Sequence, residues 1–390
     1  MIATGMEAIL IKVAGWGSKL PVRTEVESVI HSDSGFATVA FLRIKSAVLE
    51  VKDSQETLEL EVPSVLENDF ISIRDAVASA QEGSTQFTDT TKPTQANQLS
   101  SRVATSRKLD SWISVSNIER SLDSPLADLS IEEEVTECFN ILEGQSVYTR
   151  DETILVDHPP ARLKEYGLDV SNCVNINIFI SSIDLFVRIN AVYSTFFGSS
   201  PPARACVAVD LPHPLRVRLD VIAFAESRPS DRQALHVQSL SYWAPANIGP
   251  YSQAITAGER IFISGQIGLI PSQLALPYPR SLPSETALAS QHISRITDVL
   301  RRDSGLGWPG NSQLELYWFA NTQDLLHVKR VVSPDSIPTL YLSVKALPKD
   351  ALIEKQVLLH TGRCAIVDED VEDGFVMESR EPIFEQSERS

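Results

Sequence analysis

Cysteine is scarce in this chain. Only Cys138, Cys173, Cys206 and Cys364 occur among 390 residues, scattered and without a C-x-x-C pair. That spacing argues against a disulfide framework and against a cysteine-built zinc site. Long apolar runs are missing too: none approaches the roughly 20 residues of a membrane-spanning helix. The opening residues, MIATGMEAILIKVAGWG, have neither the basic lead nor the small-residue cleavage site of a secretory signal, so a cytoplasmic setting is expected. Positive charge is in deficit, with 34 Lys and Arg against 51 Asp and Glu and a net charge of −17. Affinity for nucleic acid rests largely on lysine and arginine displacing counterions, and no basic stripe with interleaved aromatics compensates, so no nucleic-acid partner is expected. The seven histidines show no metal-ligand spacing. Neither a G-x-S-x-G elbow nor a G-x-G-x-x-G turn after a strand is present.

What is present reads as globular protein, with 43% hydrophobic and 22% charged residues. Residues 1–78 hold apolar runs such as AILIKVAG and FATVAFLRIKSAVLEV, enough for a few strands and a helix. Residues 79–107 are rich in Ser, Thr and Gln, a composition that buries too little apolar surface to offset chain entropy, and read as a linker. In SIEEEVTECFNILEG, Ile131, Val135, Phe139 and Leu142 recur at helical spacing, with Ser130 and Glu133 as a capping box. Residues 148–168 show no period and read as a surface insertion. CVNINIFISS alternates as a strand. SIDLFVRINAVYSTFFG reads as a helix ended by Gly198. In LRVRLDVIAF, Leu215, Val217, Leu219 and Val221 point inward and Arg216, Arg218 and Asp220 outward. After a short polar connection the order of elements begins again. ARACVAVDLPHPLRVRLDVIAF and PTLYLSVKALPKDALIEKQVLLH share a layout of strand, Leu-Pro, strand, so the chain carries an internal repeat. The class is α+β, a mixed sheet with helices on one face in each of two units, 108–225 and 237–363. The acidic stretch 364–390 reads as a solvated tail.

The segment SYWAPANIGPYSQAI, Ser241 to Ile255, is too rigid and too polar for a plain turn. APANIGPYSQAI followed by IFISGQIGLIP resembles the opening signature of the RidA (YjgF/YER057c/UK114) family. VNINIFISSIDLFVRINAVYSTFFGSSPPARACVAVDLP resembles that family's second half. The resemblance implies tandem RidA/chorismate-mutase-like barrels of one topology, joined across a short connection. The tandem layout is similar to the C-terminal part of fungal diphthine–ammonia ligases, in which an ATP-using domain precedes two RidA-like domains. GMEAILIKVAGWGSKL resembles a late segment of that domain, so residues 1–78 are expected to be a small α/β remnant of it. The family's phosphate loop of the Ser-Gly-Gly-Lys-Asp-Ser type does not occur in this sequence. No cofactor is therefore expected, with ATP implied only for an upstream domain. The resemblance implies a role in diphthamide formation on elongation factor 2. Its alternatives are a free-standing 2-imino or enamino acid deaminase and a non-catalytic binding or assembly module. Inter-barrel packing and a homo-oligomer are also implied.

By the same resemblance, catalysis falls on Arg204, as the fork for a substrate carboxylate, and on Glu354, as the carboxylate that activates water. Tyr251, Ser264, Gly265 and Asn190 match ligand-binding positions. In the first unit the glutamate position is Arg218; in the second the arginine position is Leu340, or Thr339 under another gap placement. Each unit thus keeps half of one set. Two readings stay open: the halves complement each other across one cleft that admits a small carboxylate or imine, or both pockets have decayed. An alternating strand would expose Glu354, Ser264 and Tyr251 could merely serve the loop's backbone, and Cys206 reads as a small buried hydrophobe. Arg218 is expected beside Leu340 in a separate cleft.

Overall fold

Alternation along Val217, Leu219 and Val221 makes a strand with one buried face, and the three side chains are 0%, 1% and 2% exposed in the computed structural model. The structure describes residues 22–31, 40–50, 57–59, 64–83, 104–120, 129–144, 163–228, 231–241, 243–303, 311–332, 337–367 and 375–379. It divides into two compact units, Met1–Val65 and Leu66–Ser390. In the first of these, β1 (Val22–His31), β2 (Ala40–Glu50) and β3 (Thr57–Glu59) form an antiparallel sheet in sequence order.

The larger unit opens with α1 (Asn68–Glu82). The first repeat follows as β4 (Thr105–Leu109), β5 (Trp112–Ile118), α2 (Ile131–Glu143), β6 (Cys173–Ile180), α3 (Phe186–Tyr193), β7 (Ala203–Ala208) and β8 (Val217–Phe224). After β9 (Arg232–Leu235) comes the second repeat: β10 (Ala254–Ala257), β11 (Arg260–Ile267), α4 (Leu282–Asp303), β12 (Asn311–Phe319), α5 (Thr322–Val331), β13 (Thr339–Ser343) and β14 (Ile353–His360). Strand order is β4-β5-β8-β6-β7 in the first and β13-β12-β14-β11-β10-β9 in the second. Apart from the added edge strand β9 these are one topology. β6–β7 and β12–β13 are the parallel pairs, and each repeat closes with its last strand in the sheet's centre. Even the irregularities match, with a register break between Val115 and Ile118 in β5 and between Ile263 and Gln266 in β11.

The registers supply a residue-by-residue alignment that sequence gaps cannot. Val221 and Val357 are the last regular partners of β5 and β11 before the break, which sets Leu219 against Lys355 and Arg218 against Glu354. Ile176 pairs with Arg204, and its counterpart Glu315 pairs with Thr339. Thr339, not Leu340, therefore stands where Arg204 stands in the first unit.

Helix starts are fixed as the sequence suggests. The Ser130 hydroxyl accepts from Glu133 N–H and the Glu133 carboxylate accepts from Ser130 N–H, a complete capping box. One turn on, fully buried Glu134 accepts from the backbone N–H of Arg216 and Val217. Glu285 on α4 does the same for Leu352 N–H at 2.8 Å, so each repeat ties its first helix to the entry of its central strand. α3 ends at Tyr193 rather than Gly198, because Ser194 N–H already closes the last turn on Asn190 C=O.

The boundary expected at residue 78 falls inside α1, which packs on the second repeat although it precedes the first in sequence. Val77, fully buried, joins Leu282, Tyr317 and Val328, while the Glu67 carboxylate pairs with Arg295 at 2.6 Å. Of the expected linker, 84–103 lie outside the described residues and 104–107 enter β4. Of the expected insertion, 148–162 lie outside them, and Leu163 is core, fully buried against the first repeat's helices. The stretch read as a solvated tail contains an antiparallel pair, β15 (Arg363–Val367) with β16 (Phe375–Ser379), since CAIV and FVM supply apolar strand formers. Among the described residues no helix is long and apolar enough to cross a membrane.

Candidate active site between the two repeats

The repeats meet through β7 and β6 of the first and β11 and β10 of the second. Apolar layers cover both ends of the contact, Val174, Ala203, Phe224, Ile255 and Phe262 at one and Ala205, Val207, Ile267 and Trp318 at the other. Backbone links add direction: Ala208 N–H donates to Ala346 C=O at 3.0 Å and Lys345 N–H to Ala208 C=O at 2.8 Å. Between the layers, the Gln356 amide donates to Asn175 and Asn177, both at 3.0 Å.

Arg204 lies on β7 at 3% exposure, and its backbone N–H donates to Ser264 Oγ at 2.8 Å. The guanidinium carbon sits 4.9 Å from the Tyr193 ring, 5.5 Å from Tyr251 and 5.8 Å from Phe186. Its Nη1 is buried with no hydrogen-bond partner. Glu354 lies on β14, also 3% exposed, with Oε2 unpartnered. The two side chains line one cavity with Phe186, Cys206, Pro245, Ile248, Tyr251, Gly265, Gln266, Ile267, Leu269 and Pro348. Burial pushes the Glu354 carboxyl up to about 8, with the Arg204 charge pulling the other way, so it is mainly protonated at neutral pH. Burial likewise pushes the Cys206 thiol and the Tyr251 phenol up to about 12. Cys206 is therefore a neutral wall and no thiolate.

The proline-rich segment builds the roof. Gln253 clamps it, accepting from Val237 N–H at 2.7 Å and donating to Val237 and Pro245 C=O. Asn247 donates to Gly249 and Tyr251 C=O. Ile248 and Pro245 are thereby held over the cavity, and Gly249 lets Arg204 in: a Cβ there would lie 2.5 Å from Nη2.

The sequence-derived residues divide into two groups. Arg204, Glu354, Tyr251 and Gly265 face the shared cavity. Ser264 and Asn190 do not line it. The Ser264 hydroxyl is occupied, accepting from Arg204 N–H and donating to Ser252 C=O at 2.6 Å, so it fastens the arginine's strand to β11. Asn190 lies behind Gly249, where an added Cβ would be 3.2 Å from its Nδ2. Glu354 is buried rather than exposed, because the outer face of its sheet is covered by the other repeat. Arg218, its counterpart, is held by Glu119, with Nε–Oε2 of 2.7 Å, while Leu340 is half exposed on β13. Phe186, Tyr193 and the wall residues Ile248, Ile267 and Leu269 have no signature of their own; they read as ordinary core and loop positions.

Gly265 leaves room for the acid. A Cβ there would lie 1.6 Å from Glu354 Oε1 and 2.5 Å from Cδ, so the whole carboxyl end would have to move. Gly265→Ala is expected to cost about 1–3 kcal/mol of stability, the range for overpacking. The check is a denaturant midpoint; an unchanged midpoint would show that Glu354 rotates away freely.

Fold and site define a tandem of two like barrels with one acid and one cation facing an inter-barrel cavity. The model of the endoribonuclease L-PSP family matches residues 157–226. The chain is 36% identical over 211 residues to the diphthine–ammonia ligase of Schizosaccharomyces pombe, covering 52% of this chain and 33% of the relative. It is 34% identical over 145 residues to that of Saccharomyces cerevisiae, covering 33% of this chain and 21% of the relative. The solved structure of Escherichia coli TdcF with bound serine aligns with 33% of this chain and 98% of its own, at 21% identity and a TM-score of 0.27. The chain is also 35% identical over 85 residues to the AldR protein of Lactococcus lactis, 67% of whose length it covers, and it belongs to the RidA (endoribonuclease L-PSP) family. It spans a third or less of the length of these two ligases.

Proposed function

We propose that this chain is the RidA-like portion of a diphthine–ammonia-ligase-type protein in the cytoplasm, and that its inter-repeat cavity hydrolyses a small 2-imino acid. The observation that carries the site assignment is the pairing of two half-sets: Arg204 from the first repeat and Glu354 from the second, both buried, both with an unpartnered polar atom, on one cavity. Arg204 takes the carboxylate, for which a planar two-pronged donor is suited. In its ionised form Glu354 accepts a proton from water as the water oxygen bonds to the imine carbon and the C=N pair moves onto nitrogen. The protonated acid returns that proton to nitrogen, giving a neutral carbinolamine; Glu354 then relays the hydroxyl proton to the amino nitrogen, and as the oxygen's electron pair forms C=O the C–N bond breaks and ammonia leaves. Imino acid and water become 2-keto acid and ammonia. Ammonia is what the related ligases, by their name, join to diphthine, so the reading links the cavity to a role in modifying elongation factor 2. ATP use belongs to a domain with a phosphate loop, a motif that this sequence does not contain.

The test is 2-keto acid release from 2-iminobutyrate generated in situ, with the full 390-residue chain. Acceleration over the uncatalysed rate by about 100-fold or more, the lower range for positioned acid–base catalysis, is expected. No acceleration across pH 6–9 would sink the hydrolase reading.

A further inference from the structure

Arg204 is a buried cation with no ion pair. Among the described residues none of its side-chain N–H groups donates to another residue, and no acid stands within ion-pair distance. Arg218, a second deeply buried arginine of the same repeat, follows the usual rule for buried charge and is paired with Glu119. At Arg204 aromatic rings stand where an acid would be: the guanidinium lies over Tyr193 at 4.9 Å, Tyr251 at 5.5 Å and Phe186 at 5.8 Å. We infer that Phe186 and Tyr193 are positioning residues for the substrate carboxylate, their rings holding the guanidinium while leaving its N–H fork free. The inference rests on the reading of Arg204 as the carboxylate's partner.

An acid beside Arg204 would neutralise it by taking the same in-plane N–H donors that a substrate carboxylate needs. An aromatic ring attracts the cation through its negative face and takes none of them. The Tyr193 phenol does not stand in for that acid: burial pushes its ionisation up, and its hydroxyl has no hydrogen-bond partner. Both rings come from α3, where Phe186, Asn190 and Tyr193 fall at i, i+4 and i+7, one stripe of a helix. The second repeat shows that this stripe goes with the arginine. Ser182 and Asn321 cap the corresponding helical segments, each accepting from the N–H two residues on. That match aligns Phe186, Ile189 and Tyr193 with Leu325, Val328 and Val332. Ile189 and Val328 are both buried, so the alignment preserves the packing face of the helix. Where Thr339 stands in place of the arginine, both rings have become aliphatic. Tyr193 also packs edge-on against Phe139 in the core, whereas Phe186 is only partly buried and lines the cavity, which makes it the cleaner probe.

The experiment is calorimetric titration of the full chain with 2-ketobutyrate, beside 2-imino acid turnover, for the wild type, Phe186→Leu, Tyr193→Leu, Tyr193→Phe and Arg204→Ala. Each leucine variant is expected to weaken 2-ketobutyrate binding by about tenfold, the scale of a desolvated cation–ring contact. In turnover the loss should appear in KM, with kcat within about threefold of wild type, because the rings touch the carboxylate's partner and not the reacting carbon. A general loosening of the fold would lower both. Tyr193→Phe keeps the ring and should recover affinity to within about threefold of wild type. Phe186→Leu carries the test alone should Tyr193→Leu not fold. Leucine variants that bind within about twofold of wild type, while Arg204→Ala abolishes binding, would overturn the inference and leave Arg204 as the carboxylate's partner. No binding by the wild type, or binding that Arg204→Ala leaves intact, would overturn both.

Discussion

Arg204→Ala is expected to lower the affinity for a small 2-keto acid by at least about 100-fold and to reduce 2-imino acid hydrolysis to background. Among the described residues the guanidinium is the cavity's sole cation, and its Nη1 donor has no hydrogen-bond partner. Hydrogen bonds to a charged group contribute about 1.5–3 kcal/mol each, so losing a two-pronged contact corresponds to about 3–6 kcal/mol, which is two or more powers of ten in affinity. The rings of Phe186, Tyr193 and Tyr251 would then face a void that no carboxylate enters without a cation. The strand itself should persist, because the bond from residue 204 to Ser264 Oγ uses only backbone N–H. Arg204→Lys separates charge from geometry: an ammonium keeps the sign but loses the planar fork, and recovery of less than a tenth of the wild-type affinity is expected. Titration calorimetry and keto acid release measure both effects. Affinity within about twofold of wild type in the alanine variant would reduce Arg204 to a packing residue.

The route from sequence to this arginine shows what a chain reveals locally. The repeat was legible because each unit repeats strand, Leu-Pro, strand, and alternation in Leu215 to Val221 marks its buried face without reference to any partner. The Ser130 box was legible because its partners are three residues apart. The counterpart of Arg204 was not, since Leu340 and Thr339 differ by one gap and only the pairing of Glu315 with Thr339 decides between them. Burial of Glu354 was not legible either. Alternation assigns it to the outer face of its sheet, and whether that face meets water depends on another domain some 150 residues away in sequence. The same holds for α1, whose contact with Leu282 and Tyr317 joins segments on either side of an entire barrel. Contacts inside an element leave a period in the sequence; contacts between repeats leave none.

Glu354→Gln is expected to have two opposite effects, a gain in stability at alkaline pH and a loss of hydrolysis. In the folded chain burial holds the carboxyl near 8, far above the usual carboxylate range of the unfolded chain. Between about pH 5 and 8 the unfolded state is ionised at this residue while the folded state keeps its proton, so folding takes up a proton. Stability from this group is full below the unfolded value and is lost as pH rises through the folded one, with a limiting slope of about 1.4 kcal/mol per pH unit. Glutamine has similar size and no proton to lose, so the variant should escape that slope. Denaturant midpoints of the two proteins should diverge with rising pH, to about 1–3 kcal/mol in favour of the variant near pH 8 once relaxation of the cavity is allowed for. Hydrolysis should move the other way. The wild-type rate should climb as pH approaches 8 and the ionised fraction of Glu354 grows, whereas the variant should be flat with pH and slower by about 100-fold or more. Parallel midpoint curves, or a rising rate profile preserved in the glutamine variant, would place the titrating group elsewhere and remove Glu354 from the chemistry.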